Sequence, residues 1–223
     1  MSNVDLKRGI LLQGGVSDWT VDIIREYKKM FPFTHILLST WTTENIDEIS
    51  CEIIQSEPPK PTFPHTSNIN HQIIGTLNGL HSINADIVMK CKTDEIIHNK
   101  RIFDIYENLC TPDKILITNL NTYLTDYRAS DFCQIGTRET LLQFWNSIPL
   151  YDGSFPIAPE TYLTKNYIIN AKNDHRPWRN IINEYFCIKD FHLDFKIEFK
   201  KFQIDEKKQK WFEKNRFSKY DLN

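Results

Sequence analysis

The sequence has little glycine, with 7 glycines among 223 residues. Phosphate-binding loops of the P-loop and dinucleotide-binding types need glycines at fixed spacings, and neither GxxxxGK(S/T) nor GxGxxG occurs in the chain. A GxSxG nucleophile elbow and an HExxH zinc motif are also missing. These absences exclude the nucleotide-binding, hydrolase and metalloprotease classes that the motifs define.

Long apolar runs are missing as well. No stretch reaches the roughly 18 consecutive apolar residues of a membrane span, and the first residues have no secretory signal pattern. The 5 cysteines are widely spaced and form no CxxC pair, which argues against a zinc site and a disulfide framework. With a net charge of -2, the chain lacks the basic excess of a nucleic-acid-binding protein. We expect a cytoplasmic, soluble protein with no nucleic-acid partner.

The C-terminal segment departs from this charge balance. Residues 196–223 contain nine Lys and Arg against five Asp and Glu, interleaved with aromatic side chains. This pattern predicts an amphipathic helical appendage, residues 176–223, packed on a core of residues 1–175. The alternative is a peripheral contact with the inner face of a membrane, made by the basic side chains.

What the chain does contain is an alternation of short apolar runs and helical stripes. Apolar runs predict strands at 9–13, 35–39, 51–54, 85–90, 114–118 and 131–136. Apolar spacings of three and four predict helices over 20–31, 68–84 and 99–109, with two more after Thr137 and from Pro159. Four prolines make 56–67 a loop. The order predicts an α/β fold, a single domain with a mostly parallel central sheet flanked by helices.

Asp94 is the first candidate for chemistry, because it follows the apolar run at 85–90. A carboxylate at the carboxyl end of a central strand lies where open α/β sheets bind ligands. It can hold Mg²⁺ or Mn²⁺ against phosphate oxygens. The alternative is that Asp94 only caps a following helix.

Other polar residues fall at similar places. Asn68, Asn70 and His71 begin a predicted helix capped by Ser67, where amides and the helix dipole can bind nucleotide or phosphate. Taken alone, these residues are more typical of an ordinary polar helix start. Asp131 and Glu160 are candidates for a general base or for binding sugar hydroxyls.

Together these segments resemble the WavE-like lipopolysaccharide synthesis proteins. The resemblance runs from about residue 9 to 170. It rests on ILLQG (10–14), ILLSTW (36–41), NINHQIIGTLNGL (68–80), MKCKTD (89–94), SDF (130–132) and PETYL (159–163). It implies a GT-A-like nucleotide-sugar transferase, whose sheet carries a DxD metal motif. Of that motif this chain keeps only the last carboxylate, Asp94. Lys92 and His71 stand where the family usually has arginine.

The resemblance also implies roles for named residues. Gln13, Gly14, Ser39 and Trp41 would line the nucleotide pocket, and Asn68, Asn70 and His71 would contact the nucleotide or its phosphates. Asp94 would hold Mn²⁺ or Mg²⁺, with Lys92 as a further counter-charge for the diphosphate. Asp131 or Glu160 would bind the acceptor, a glycan or glycolipid, and Glu160 is the preferred base.

Two other functions remain open from the sequence. A sugar nucleotidyltransferase would share the sheet and the metal carboxylate, but it would normally carry a basic, Gly-rich loop after the first strand. The loop at 13–17 has one glycine pair and no basic residue. A nucleotide-sugar-binding module that has lost catalysis is the alternative outside enzymes.

Overall fold

The computed structural model describes residues 6–125 and 127–199. Its strands are β1 Arg8–Gln13, β2 His35–Trp41, β3 Glu52–Ser56, β4 Ile87–Lys92, β5 Glu95–Ile97, β6 Ile115–Thr118, β7 Cys133–Thr137, β8 Phe186–Lys189 and β9 Ile197–Phe199. Its α-helices are α1 Asp18–Met30, α2 Ile69–Ser82, α3 Ile102–Leu109, α4 Arg138–Asn146, α5 Pro159–Asn166 and α6 Trp178–Tyr185. Two π-helical segments, Tyr167–Ala171 and Phe191–Phe195, complete the regular structure of the described residues.

The central sheet of the described residues has seven strands in the order β3-β2-β1-β4-β7-β6-β8. Strands β3, β2, β1 and β4 are mutually parallel, β7 runs antiparallel to both of its neighbours, and β6 is parallel to β8. After β1 the chain builds outward to β2 and β3 and then returns to place β4 on the other side of β1. Ligands bind at such a reversal of strand order in open α/β sheets.

Apolar side chains on both faces of the strands explain why the central runs fold as they do. On β1, Ile10 and Leu12 point into one core with Ile24 and Tyr27 of α1. Leu11 points the other way, into a second core that contains Ile73 of α2. Strands buried on both faces read as continuous apolar runs, so helices must cover both sides of this sheet.

The predicted α/β class and mostly parallel sheet are confirmed. The proline-rich segment is irregular as expected, and Thr137 caps α4 through its Oγ1, which accepts from the Thr140 amide at 3.1 Å. Two local predictions were wrong. Asn68, and not Ser67, is the N-cap of α2. The turn at Asp94 leads into β5 and not into a helix, so the helix-capping explanation of Asp94 fails.

The C-terminal segment is described only in part. Beyond residue 175, α6 packs on the core and β8 joins the edge of the central sheet beside β6. Strand β9 pairs antiparallel with β5 in a small second sheet. Residues 200–223, where most of the predicted amphipathic helix falls, lie outside the described residues. Among the residues that are described, no helix is both long and apolar enough to cross a bilayer.

Close packing of α2 on β1 gives a testable consequence. A Cβ added at Gly79 would come within 2.2 Å of Leu11 Cδ1, whose side chain is fully buried. Gly79→Ala should lower the free energy of unfolding by about 1–3 kcal/mol, because the core has no space for the extra methyl. Urea denaturation followed by circular dichroism measures the change.

Gly136→Ala is the matched control. A Cβ there would meet Leu141 at 3.4 Å, an ordinary contact, so the variant should be near neutral. Equal destabilisation of the two variants would contradict the steric explanation.

Candidate functional site

A cavity of about 590 Å³ opens at the carboxyl ends of β1 and β4, where the strand order reverses. Its wall is formed by residues from the ends of β1, β2 and β4, from the β1–α1 turn, from the end of the proline-rich segment and from the start of α2. These are Gln13, Gly14, Gly15, Ser17, Trp41, Thr66, Ser67, Asn68, His71, Gln72, Lys92, Thr93 and Asp94. The cavity therefore brings together seven of the predicted site residues: Gln13, Gly14, Trp41, Asn68, His71, Lys92 and Asp94.

Gly14 forms the close approach between the two central strands. Its φ is +142°, and a Cβ would lie 2.6 Å from Thr93 Oγ1. Only glycine takes this backbone conformation without strain. The missing side chain also leaves the backbone of the β1–α1 turn open to the cavity, where a ligand can come close to it.

A charged pair lies at the inner side of the cavity, where Lys92 is part of the wall and Asp131 is buried behind it. Lys92 Nζ lies 2.9 Å from Asp131 Oδ1, and the Asp131 side chain is only 3% exposed. Gln72 Nε2 donates to the other carboxylate oxygen, Oδ2, at 2.7 Å. The Lys90 ammonium, fully buried, donates to the Asp131 backbone carbonyl at 3.1 Å. One residue of the β6–β7 connection thus anchors two lysines of β4 and one glutamine of α2.

The electrostatics follow from these contacts. Burial by itself would raise the pKa of Asp131, but the charges of Lys92 and Lys90 outweigh it and the pKa is lowered. Burial likewise opposes the charge on Lys92, and the Asp131 carboxylate more than offsets it, so the pKa of Lys92 is raised. Lys90, which makes no direct contact with the carboxylate oxygens, has its pKa lowered by burial and by the charge of Lys92. Lys92 is therefore a permanent cation at the cavity wall.

Glu160 lies behind this pair in a different environment. It occupies the first turn of α5 and is 9% exposed. Asn121 Nδ2 donates to its Oε1, and Arg128 Nη2 lies 3.9 Å from Oε2. Burial, followed by the negative charge of Asp131, raises the pKa of Glu160 to about 7. A carboxyl group with this pKa can exchange a proton near neutral pH, as a general base must.

The two aromatic members of the cavity wall contact each other. The rings of Trp41 and His71 meet edge to face with centroids 5.1 Å apart. Burial lowers the pKa of His71, so the imidazole is neutral at pH 7. Its Nδ1 is buried and has no hydrogen-bond partner among the described residues. The ring therefore offers an unused polar atom beside an indole face.

Two of the residues predicted to bind the nucleotide, Ser39 and Asn70, lie outside the cavity lining. Ser39 is fully buried, and its hydroxyl donates to the Gly75 carbonyl at 2.6 Å. The Asn70 amide accepts from the Tyr151 N–H at 2.7 Å and donates to the Tyr151 carbonyl at 2.9 Å. Both side chains hold neighbouring segments in place. Their proposed contact with nucleotide stays a prediction.

Asp94 lines the cavity at the turn between β4 and β5. It is half-buried, and the Asp131 carboxylate faces Lys92 instead of joining it. In the part of the chain that the structure describes, no group of three or more His, Cys, Asp or Glu side chains is arranged to hold a metal ion. Asp94 thus supplies a carboxylate to the cavity without a protein-built coordination sphere around it.

Several residues of the site and its surroundings were not predicted as site residues. Thr66 and Ser67 come from the end of the proline-rich segment, whose path over the sheet edge has no sequence signature. Gln72 could have been found, because it lies one helical turn after Asn68 and shares its face. Asn121 and Arg128 contact Glu160 from an irregular connection, and no spacing in the sequence indicates this.

The sheet and its cavity at the switch point define the class of protein, an α/β protein with the fold shared by GT-A transferases and nucleotidyltransferases. The chain belongs to the WavE lipopolysaccharide synthesis family, whose model matches residues 7–218. The resemblance expected over residues 9–170 is confirmed and extends into the C-terminal segment. No curated protein matched the sequence.

Solved structures show the same fold at low sequence identity. A nucleotidyl transferase from Methanothermobacter thermautotroptrophicus is similar at 7% identity and a TM-score of 0.50, over 76% of this chain and 84% of that one. The 4-diphosphocytidyl-2C-methyl-D-erythritol synthase of Anaerococcus prevotii is similar at 10% identity and a TM-score of 0.50, over 85% of this chain and 90% of that one. TarS of S. aureus is similar at 9% identity and a TM-score of 0.51, over 83% of this chain but only 35% of that one. These likenesses support the fold.

The anchoring role of Asp131 is testable by substitution. Asp131→Asn leaves the Lys92 and Lys90 ammonium groups without their counter-charge, and removing one partner of a buried pair should cost about 3 kcal/mol. Because the pKa of Asp131 is lowered in the folded state, its contribution is fully present at neutral pH. It begins to be lost below the ordinary aspartate pKa of about 4 and disappears as the pH falls through the lowered one. Denaturant unfolding at pH 7 should show the difference in free energy of unfolding between wild type and Asp131→Asn. The same measurement at pH 3.5 should show a smaller difference.

Asp22→Asn gives the same chemical change in an exposed ion pair with Arg25, where the aspartate side chain is 72% exposed. It should cost less than about 1 kcal/mol. If Asp131→Asn were as mild as this control, the anchoring role would be excluded.

Proposed function

We propose that the protein is a glycosyltransferase that moves a sugar from a nucleotide-sugar donor to a hydroxyl of a glycan or lipopolysaccharide-type acceptor. The observation that supports this most directly is the pairing of two sites. A cavity with Lys92 and Asp94 in its wall lies at the switch point of the sheet. A carboxyl group with a pKa of about 7, that of Glu160, lies close to the Lys92–Asp131 pair.

At the donor end, the cavity provides charge and close backbone approach. Lys92 faces the diphosphate as a counter-ion whose position is fixed by Asp131. The open backbone at Gly14 lets phosphate oxygens come close to peptide groups. Trp41 and the neutral His71 ring offer an aromatic surface and an unpaired ring nitrogen for the nucleotide.

A divalent metal fits this cavity when it is brought by the donor. Mg²⁺ keeps several waters and is usually bound through one or two carboxylates together with substrate phosphates. Asp94 would supply that carboxylate, and the ion would stabilise the charge that develops on the departing diphosphate. The Lys92 ammonium would stabilise part of the same negative charge.

At the acceptor end, Glu160 is the preferred base. The acceptor oxygen forms a bond to the anomeric carbon of the donor sugar as the bond to the nucleoside diphosphate breaks, and the hydroxyl proton passes to Glu160. Asp131 is less suited to this step, because both its carboxylate oxygens are engaged and its pKa is low. Its base role remains an alternative that mutation can test.

The proposal keeps a cytoplasmic location, with the basic segment at 196–223 as a candidate peripheral membrane contact. That contact lies mostly outside the described residues and depends on attraction between Lys or Arg and anionic lipids.

A sugar nucleotidyltransferase is the second candidate, favoured by the fold that the chain shares with the nucleotidyl transferase from Methanothermobacter thermautotroptrophicus. The products separate the two reactions. With a panel of nucleotide sugars and Mn²⁺, we expect slow donor hydrolysis that releases nucleoside diphosphate, measured by chromatography. Release of pyrophosphate from a nucleoside triphosphate and a sugar phosphate would establish the alternative, and binding without any turnover would indicate an inactive module.

The same assay tests the metal carboxylate. Asp94→Ala should reduce Mn²⁺-stimulated hydrolysis by roughly 10²-fold or more, since it removes an electrostatic stabiliser of the leaving group. Asp47→Asn, in an acidic loop outside the cavity lining, should leave the rate unchanged. Equal metal stimulation in wild type and Asp94→Ala would contradict the metal role.

The base assignment predicts a pH dependence. Glu160 acts as a base only when ionised, so transfer should rise with pH through an apparent pKa near 7. Glu160→Gln should lower the rate by roughly 10²–10⁴-fold and remove this limb of the profile. Initial rates between pH 5.5 and 8.5 measure both effects.

Folding stability is the control for this variant. Because the pKa of Glu160 is raised in the folded state, its ionisation destabilises the fold as the pH rises through 7. The neutral glutamine should therefore leave the unfolding temperature at pH 8 unchanged or higher. Near-normal transfer by Glu160→Gln together with complete loss in Asp131→Asn would reverse the assignment.

A further inference from the structure

Arg128 is a cation whose side chain makes little use of its hydrogen-bond donors within the described residues. Its Nη2 lies 3.9 Å from Glu160 Oε2, beyond the roughly 3.2 Å limit of a good hydrogen bond. Its Nε is buried and has no partner among the described residues. A buried, unpaired polar group of this kind calls for an explanation, and a missing ligand is a common one.

The guanidinium is nevertheless held in place. It lies over the Tyr123 ring with Cζ 5.1 Å from the centroid. The Tyr123 amide donates to the Arg128 carbonyl at 2.9 Å, and the Trp178 indole N–H donates to the Tyr123 carbonyl at 2.9 Å. Trp178 of α6 holds the backbone at Tyr123, and the Tyr123 ring holds the Arg128 side chain. Arg128 is therefore preorganised for binding a ligand.

A second unused polar atom lies on the other side of Glu160. The Asn121 side chain is 4% exposed and donates through Nδ2 to Glu160 Oε1. Its Oδ1 is buried without a partner in the described residues. Glu160 thus has the unpaired Asn121 Oδ1, a hydrogen-bond acceptor, and the Arg128 guanidinium, a donor, as neighbours. A ligand that carries both a hydroxyl and an anionic group would satisfy both.

We propose that Arg128 binds the oxyanion of an acidic acceptor sugar, a sugar carboxylate or a sugar phosphate, and that Asn121 accepts a hydrogen bond from a neighbouring hydroxyl. The inference rests on the proposed function, since it assigns the acceptor side of the same site. The planar guanidinium matches carboxylate and phosphate oxygens with two parallel N–H donors. A neutral acceptor would leave the Arg128 donors unpaired.

The charges around this position favour an anion. The charges of Lys92 and Arg128 both act on Glu160, and Lys92 is paired with Asp131. Glu160 is only partly ionised near neutral pH. Arg128 is therefore the cation of this group that has no close carboxylate partner among the described residues, and its charge favours an anionic ligand.

The test measures binding to the full chain by isothermal titration calorimetry, with three probes that differ in charge: glucuronate, glucose 6-phosphate and glucose. Titrations are made with saturating nucleoside diphosphate, so that anions cannot occupy the donor cavity beside Lys92. We expect at least one acidic probe to bind at least tenfold more tightly than glucose. Arg128→Gln should weaken that binding by at least tenfold, since hydrogen bonds to charged groups are the strong ones.

Arg25→Gln is the matched control, because it removes an exposed arginine whose ion pair with Asp22 lies away from the cavity. It should leave all three affinities unchanged. Arg128→Lys should recover part of the affinity for the acidic probes, which a folding defect would not allow. A preference for glucuronate would identify a carboxylate ligand, and a preference for glucose 6-phosphate would identify a phosphate.

Equal binding of glucose and both acidic probes, or unchanged acidic-probe affinity in Arg128→Gln, would overturn the inference. The proposed function fails by a different result, the absence of nucleotide binding and donor hydrolysis in wild type. In that case the titrations are made without nucleotide, and Arg128-dependent binding of an acidic probe would still support an oxyanion site.

Discussion

The organisation of the site depends on one buried ion pair, Lys92–Asp131, at the seam where the sheet changes direction. Strand β4 belongs to the parallel half, and β7, which follows Asp131, runs against it. The Asp131 carboxylate holds Lys92 and Gln72, and its carbonyl holds Lys90, so β4, α2 and the β6–β7 connection meet at a single residue. A buried charge pair is weak as a source of stability, but it fixes geometry, because breaking it leaves charges that water cannot reach.

That pair also sets the difference between the two candidate carboxylates. Asp131 is close to two ammonium groups and its pKa falls, whereas Glu160 is buried next to the Asp131 charge and its pKa rises to about 7. Paired titratable groups whose environments push their pKa values apart are the usual basis for assigning acid and base roles. The same contact thus makes Asp131 a structural anion and leaves Glu160 able to accept a proton.

The sequence predicts the sheet better than it predicts the site. Strands β1, β2 and β4 are buried on both faces, so their apolar runs identify them, and the cavity at their carboxyl ends follows from topology. The direction of Ser39 and Asn70, which point away from the cavity into backbone contacts, depends on the exact twist and packing of β2 and α2. The edge strand β8 is short and only partly buried, which gives it no clear pattern. The environment of Glu160 comes from Asn121 and Arg128, both in irregular backbone; Asn121 even has a φ of +59°.

Three of the few glycines lie where α2, β1 and the end of β4 come closest together. A Cβ at Gly75 would lie 2.9 Å from Gln13 Cγ, and one at Gly79 would overlap Leu11, so α2 lies close against β1 only because these positions are bare. This approach carries the start of α2, with Asn68, His71 and Gln72, over the end of β1. At Gly14 a side chain would clash with Thr93, because a Cβ would lie 2.6 Å from Thr93 Oγ1. A chain without a glycine-rich phosphate loop can still present open backbone to a ligand, by placing single glycines where a helix and two strands converge.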